Sequence, residues 1–294
     1  MKLPEGKLVA VPDGLQHTKF TARRAGRATH ILCSRELINY TSTKEWRQAF
    51  GLVRIHAPHP NLIDYISHLL RLRVLQELEL LAEQLECSHQ TFKASHDLQP
   101  ILRRLTRREW KQLKETDIVP FSDAVAVLVV PPLNKNPVTG QTPEPSMSAS
   151  PIPSNMKPRN DLPPLSSLLL SRNEPDCFVA GNLPDLMSTY RIPLYNGLAL
   201  FPNEHQRAAL HALLLRILAA ERRLYQSTID AKGNDFEGKG QALGDEKHSH
   251  AFLLSSNSNL IRRGDVSPVA IALWRIRMFE GNLGDNCTWT STFE

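Results

Sequence analysis

The chain has 294 residues, 41% hydrophobic and 22% charged, a balance ordinary for a globular protein that allows one large domain or two ordinary ones. No run of eighteen or more apolar residues occurs, which excludes a transmembrane helix, and the four cysteines, Cys33, Cys87, Cys177 and Cys287, form no CxxC pair, which argues against a secreted disulfide scaffold. The formal charge of +5 is unevenly spread, because residues 1–54 hold ten Lys/Arg against four Asp/Glu, and such a basic end attracts acidic or phosphate-rich partners or serves solubility.

Along the chain, Leu8–Val11 has strand character and ends at the turn signal Pro12-Asp13-Gly14. Arg23, Arg24 and Arg27 form a small cationic cluster in a loop before a second strand at Thr29–Cys33. Ser42-x-x-Glu45 is a capping box ahead of Trp46 and Phe50, and Leu52–His56 is a further strand. Asn61-x-x-Asp64 opens a long helix from Leu62 to Leu85 with apolar residues on most of its circumference, so it belongs in a core.

The next helix is expected over residues 98–116. At 100° per residue, Ile101, Leu102, Leu105, Trp110 and Leu113 share one side. Arg103, Arg104, Arg107, Arg108, Lys111 and Lys114 share the other, interrupted by Glu115. Such a face either pairs with acids elsewhere in the chain or grips phosphate oxygens, which arginine does bidentately. The β-branched run Ala124–Val130, stopped by Pro131-Pro132, predicts a strand buried on both faces.

Residues 131–164 contain ten of the 21 prolines and no aromatic residue. A disordered Pro/Ser-rich linker or excursion is expected there. Its Thr142-Pro143 and Ser150-Pro151 have the form of proline-directed kinase sites, where added negative charge would be drawn to the cationic face; an unmodified spacer is the simpler reading. Beyond it, Asn196-Gly197 between Ile192–Tyr195 and Leu198–Phe201 predicts a hairpin. Asn203-x-x-Gln206 caps a second long helix through Leu224. A mobile polar loop is expected near 227–249, then a hairpin of Ala251–Leu254 and Leu260–Arg262 about Asn257-Ser258-Asn259. Ser267-Pro268 starts a last helix that ends near Gly281.

The fold class is therefore α+β, with two capped long core helices and several short strands. The expected division is a basic N-terminal part at 1–130, the linker at 131–164 and a C-terminal part at 165–294. The alternative is one composite α/β domain, with strands from both halves in a single sheet and the linker as an excursion.

Chemistry-bearing motifs are sparse. Gly233-x-x-x-x-Gly238-Lys239-Gly240 lacks the Ser/Thr that a phosphate-binding P-loop places after its lysine. No nucleophile elbow or HExxH zinc motif is present. The eleven histidines form no two convincing ligand pairs, so neither a metal nor a cofactor is expected. The leading expectation is a non-catalytic binding or assembly protein. Its basic surface would engage nucleic acid, RNA above DNA, or an acidic protein surface. The alternatives are an enzyme with a pocket between the halves and an adaptor acting through the linker. Pro4, Glu5 and Lys7 break any secretory signal, so an intracellular site is expected. Arg-rich residues 15–35 keep mitochondrial import as a minority alternative.

Overall fold

The structure is a computed structural model that describes residues 11–22, 30–40, 61–88, 99–135, 140–148, 164–171, 191–230 and 248–280. The strands are β1 (Leu102–Thr106), β2 (Ile118–Val119), β3 (Ala124–Val129), β4 (Ser166–Ser171), β5 (Arg191–Asn196) and β6 (His248–Ser255). The helices are α1 (Arg35–Tyr40), α2 (Leu62–Ser88), α3 (Arg107–Thr116), α4 (Gly197–Leu200), α5 (Glu204–Asp230), α6 (Ser258–Ile261) and α7 (Ser267–Glu280). The fold is α+β. It divides into two compact units. The first holds Met1–Glu77, Met147–Arg159 and Ile271–Thr288, and the second holds Leu78–Ser146, Asn160–Ala270 and Trp289–Glu294.

The second unit is built on a six-stranded mixed sheet in the order β1-β6-β3-β5-β4-β2. Strands from both sides of residues 131–164 therefore share one sheet. β6 pairs antiparallel with β1 and β3, β3 runs parallel to β5, β5 antiparallel to β4, and β4 parallel to β2. The expected strand at Ala124–Val130 is β3, and its interior position explains why successive residues Val127 and Leu128 are both buried.

Side chains alternate across the sheet. Leu105, Val127, Leu194, Ala251 and Leu253 pack with Leu113 of α3 into one core cluster, against which Trp110 and Phe121 lie half-buried. Leu102, Ala126, Leu128, Phe252 and Leu254 occupy the opposite face by register, and α5 meets β1 there. The two long helices predicted by periodicity are α2 and α5. Asn203 Oδ1 accepts the His205 N–H at 2.8 Å, which fixes the start of α5 as its capping pattern predicts.

Four expected elements take another form. Residues 98–116 are not one helix, since β1 occupies 102–106 and α3 begins at Arg107. Residues 30–33 of the expected strand Thr29–Cys33 have no regular structure. Asn196-Gly197 is no hairpin turn, because Asn196 has φ −93° and its side chain accepts the Leu198 N–H to start α4. Glycine is required at 197 by packing, since a Cβ there would sit 2.7 Å from the Val129 carbonyl oxygen. Likewise Asn257 accepts the N–H groups of Asn259 and Leu260 and starts α6, which replaces the expected second hairpin.

Within residues 131–164, the described stretches contain no helix or strand. Residues 140–148 are nonetheless anchored. The Ser146 N–H donates to the His205 carbonyl at 3.2 Å, and His205 Nδ1 lies 2.9 Å from the Glu144 carbonyl oxygen. The remainder of that segment and residues 231–247 of the polar loop lie outside the described residues. So do Leu8–Ala10, Ser42-x-x-Glu45 and Leu52–His56. No helix among the described residues is long and apolar enough to cross a membrane.

In the first unit, the N-terminal part of α2 receives residues 12–21 through a bond from the His17 N–H to Gln76 Oε1 of 2.9 Å. Arg71 pairs with Glu280 of α7 at 2.6 Å, and Ser67 bonds to both. Burial pushes the Cys33 thiol pKa up, against the opposing pull of Arg275.

A buried ion pair fixes the start of β1 in the second unit. Arg263 Nη2 meets Glu221 Oε1 of α5 at 3.0 Å, and the same oxygen accepts the Ile101 N–H at 3.0 Å. Arg263 also donates to the Gln99 carbonyl at 2.9 Å. Burial pushes the Glu221 carboxyl pKa up and the Arg263 guanidinium pKa down, each opposed by its partner. Removing one partner leaves an uncompensated buried charge, so Arg263→Met is expected to lower unfolding free energy by about 3–5 kcal/mol in urea titrations. The double variant Glu221→Gln/Arg263→Met is expected to lose less than the single one.

Candidate functional site

The cationic surface is assembled at the junction of β1 and α3. Thr106 is extended, with φ −68° and ψ 161°. Its hydroxyl accepts the Glu109 N–H at 3.2 Å, while Glu109 Oε2 accepts the Thr106 N–H at 2.9 Å. This reciprocal capping box stops the strand and starts the helix. The other end closes at Asp117, whose left-handed φ of 54° lets its N–H donate to the Leu113 carbonyl at 2.9 Å. The short helix buries Leu113 and turns Arg107, Arg108, Lys111 and Lys114 to solvent.

The six cations expected on one helical face separate into two groups. Arg103 and Arg104 lie on β1, where a period of two sends them to opposite faces of the sheet. Arg103 bonds to Glu109 Oε1 at 2.9 Å and lies 4.1 Å over the Phe121 ring. Arg104 Nε donates to the Ser249 carbonyl at 2.7 Å and its guanidinium lies 5.6 Å from the Phe252 ring centroid. The α3 group stays outward. Lys114 reaches over Trp110 at 5.3 Å, and Lys111, with its side chain 78% exposed, makes a loose 3.7 Å contact with Glu115. Arg107 and Arg108 are exposed and make no ion pair among the described residues. Arg23, Arg24 and Arg27 lie outside the described residues.

Those two arginines occupy the first turn of α3, at the positive end of the helix dipole. Cations there are mildly destabilising, whereas an anion is attracted by the dipole and the arginines together. The first turn carries one acid, Glu109, and both its oxygens are engaged.

Sequence reasoning missed two histidines. His211 of α5 feels the charges of Arg104 of β1 and His250 of β6. Burial first, then Arg104 and His250, holds the His211 imidazole pKa below its ordinary value. No spacing pattern joins these residues, because they lie on separate elements, α5 and β6.

A separate cleft of about 280 Å³ lies in the first unit, lined by Asp13, His17, Tyr65, Arg73 and Arg275 among others. Arg73 pairs with Glu77 at 2.5 Å, and the His17 N–H is taken by Gln76. The second of these bonds holds residues 12–21 onto α2. Among the described residues no group of three His, Cys, Asp or Glu is placed to hold a metal ion.

The fold and this surface define an α+β protein with a short, outward cationic helix on a mixed sheet. Comparison with models of protein families, with curated proteins and with solved structures finds no match.

Glu109 serves both the cap and Arg103. Glu109→Ala is therefore expected to lower stability by about 1–2 kcal/mol in denaturant titrations. Glu109→Gln, which keeps the capping geometry, is expected to recover part of the loss.

Proposed function

We propose that this protein is a non-catalytic binding or assembly protein whose α3 face engages nucleic acid, RNA above DNA. Supporting this reading, Arg107 and Arg108 stand exposed at the positive end of α3 without an acidic partner among the described residues. Lys111 and Lys114 extend the same charge along the helix. Among the described residues the one ion pair made by the outward cations of α3 is the exposed local contact of Lys111 with Glu115, of a kind worth little in water.

The mechanism is electrostatic. Each cation that meets a phosphate releases a counterion, so affinity falls with salt and base identity is scarcely sensed. RNA is favoured because single strands and loops present phosphates at irregular spacing, which a short helix reaches without entering a groove.

In fluorescence anisotropy with a single-stranded RNA oligomer, four phosphate contacts predict a slope of log affinity against log salt of about −3. Arg107→Gln/Arg108→Gln, with folding confirmed by circular dichroism, is expected to bring it to about −1.4. Absence of binding by the folded wild-type chain at low salt overturns the RNA reading and leaves an acidic protein surface as the partner to seek.

A further inference from the structure

The cleft of about 280 Å³ in the first unit has a wall ordered by its own hydrogen bonds. Pro12-Asp13-Gly14 turns the chain, with Gly14 in the left-handed region at φ 73°. The Phe20 and Thr21 N–H groups both donate to the His17 carbonyl, at 3.0 and 3.2 Å, and the Thr21 hydroxyl donates to Gln16 Oε1. The His17 N–H fastens this stretch to Gln76 of α2. A second wall is one stripe of α2, since Tyr65, Leu69 and Arg73 recur at the four-residue spacing of neighbours on a helix. To these α7 adds Arg275.

The two guanidiniums of the cleft differ. Arg73 Nε meets the buried Glu77 carboxylate at 2.5 Å, so its charge is matched. Arg275 is exposed and makes no ion pair or hydrogen bond among the described residues. Asp13, exposed, is the acid of the lining and is already engaged by another group. One unmatched cation therefore faces a cleft that also offers an apolar side chain, Leu69, and a phenol, Tyr65.

We propose that this cleft binds a small monocarboxylate, with Arg275 taking the carboxylate and Leu69 and Tyr65 flanking its body. This inference does not depend on RNA binding by α3. A guanidinium fork matches a carboxylate with two parallel hydrogen bonds, and the hydroxyls of Thr18 and Tyr65 are further donors for its remaining lone pairs. A single unmatched charge suits a monoanion above a dianionic phosphate. The volume lies just below the range of about 300–1,000 Å³ usual for drug-sized ligands, so the body is short. A wall already ordered loses little freedom when a ligand docks.

Acetate, butyrate and benzoate are the probes, each with its neutral amide as control, titrated into the ¹⁵N-labelled full chain at matched ionic strength. Backbone amide resonances of residues 13–21 are expected to shift saturably with the acids, most strongly with benzoate, and not with the amides. Arg275→Gln, checked for folding by circular dichroism, is expected to weaken benzoate binding about tenfold. Arg277→Gln removes a charge from the same helix but outside the cleft lining, and is expected to leave the affinity unchanged. The site is overturned by equal shifts with the amides, by undiminished affinity in Arg275→Gln, by an equal loss in Arg277→Gln, or by no saturable shift with any of the three acids. Tighter binding of inorganic phosphate than of benzoate overturns the assignment to a carboxylate.

Discussion

The Glu109 carboxylate holds the Thr106 N–H with one oxygen and the Arg103 guanidinium with the other. Everything the protein presents on this side follows from that arrangement. With Thr106 extended and the helix starting at Arg107, residues 102–106 obey the period of a strand and residues 107–116 that of a helix. Arg103 turns in towards Phe121, Arg104 crosses to the far face, and the α3 cations remain outside. A start one turn earlier would merge all six cations into one stripe and remove β1 from the sheet edge.

The junction also sets an energetic tension. A carboxylate in the first turn complements the helix dipole, whereas two adjacent arginines oppose it by a few tenths of a kcal/mol each. Glu109 is fully occupied by the cap and by Arg103, so it screens its neighbours poorly. The sheet behind tolerates this because its stability comes from elsewhere: the packed Leu105–Leu113–Leu253 face and the buried Glu221–Arg263 pair that anchors residue 101. Local destabilisation is thus confined to a helix whose outer face is exposed.

Much of the fold was legible because its signals were strong and local. The helices α2 and α5 carry long apolar periodicity, and β3 is a β-branched run closed by prolines. The junction was missed because Leu102 and Leu105 satisfy a helical spacing as well as they suit a strand buried on both faces. Thr106-x-x-Glu109 is itself a capping signal, and it places the helix start correctly. The two asparagine turns failed for a related reason. Asparagine favours hairpin turns and helix caps alike, and the close approach of Gly197 to Val129 appears only once β3 and β5 are paired. The placing of Arg104 opposite Phe252 was beyond local reasoning, since it arises from strands about one half of the chain apart that pair out of sequence order.

The outward placement of the α3 cations makes the lysines of that helix reporters of the proposed binding. Limited acetylation of the folded chain, read by mass spectrometry with and without a saturating RNA oligomer, measures their accessibility. Their exposure together with the proposed RNA binding predicts that Lys111 and Lys114 react readily in the free protein and lose reactivity when RNA is bound, while lysines away from α3 change little. Unchanged reactivity at Lys111 and Lys114 with RNA bound, or protection confined to other lysines, would contradict α3 as the binding face.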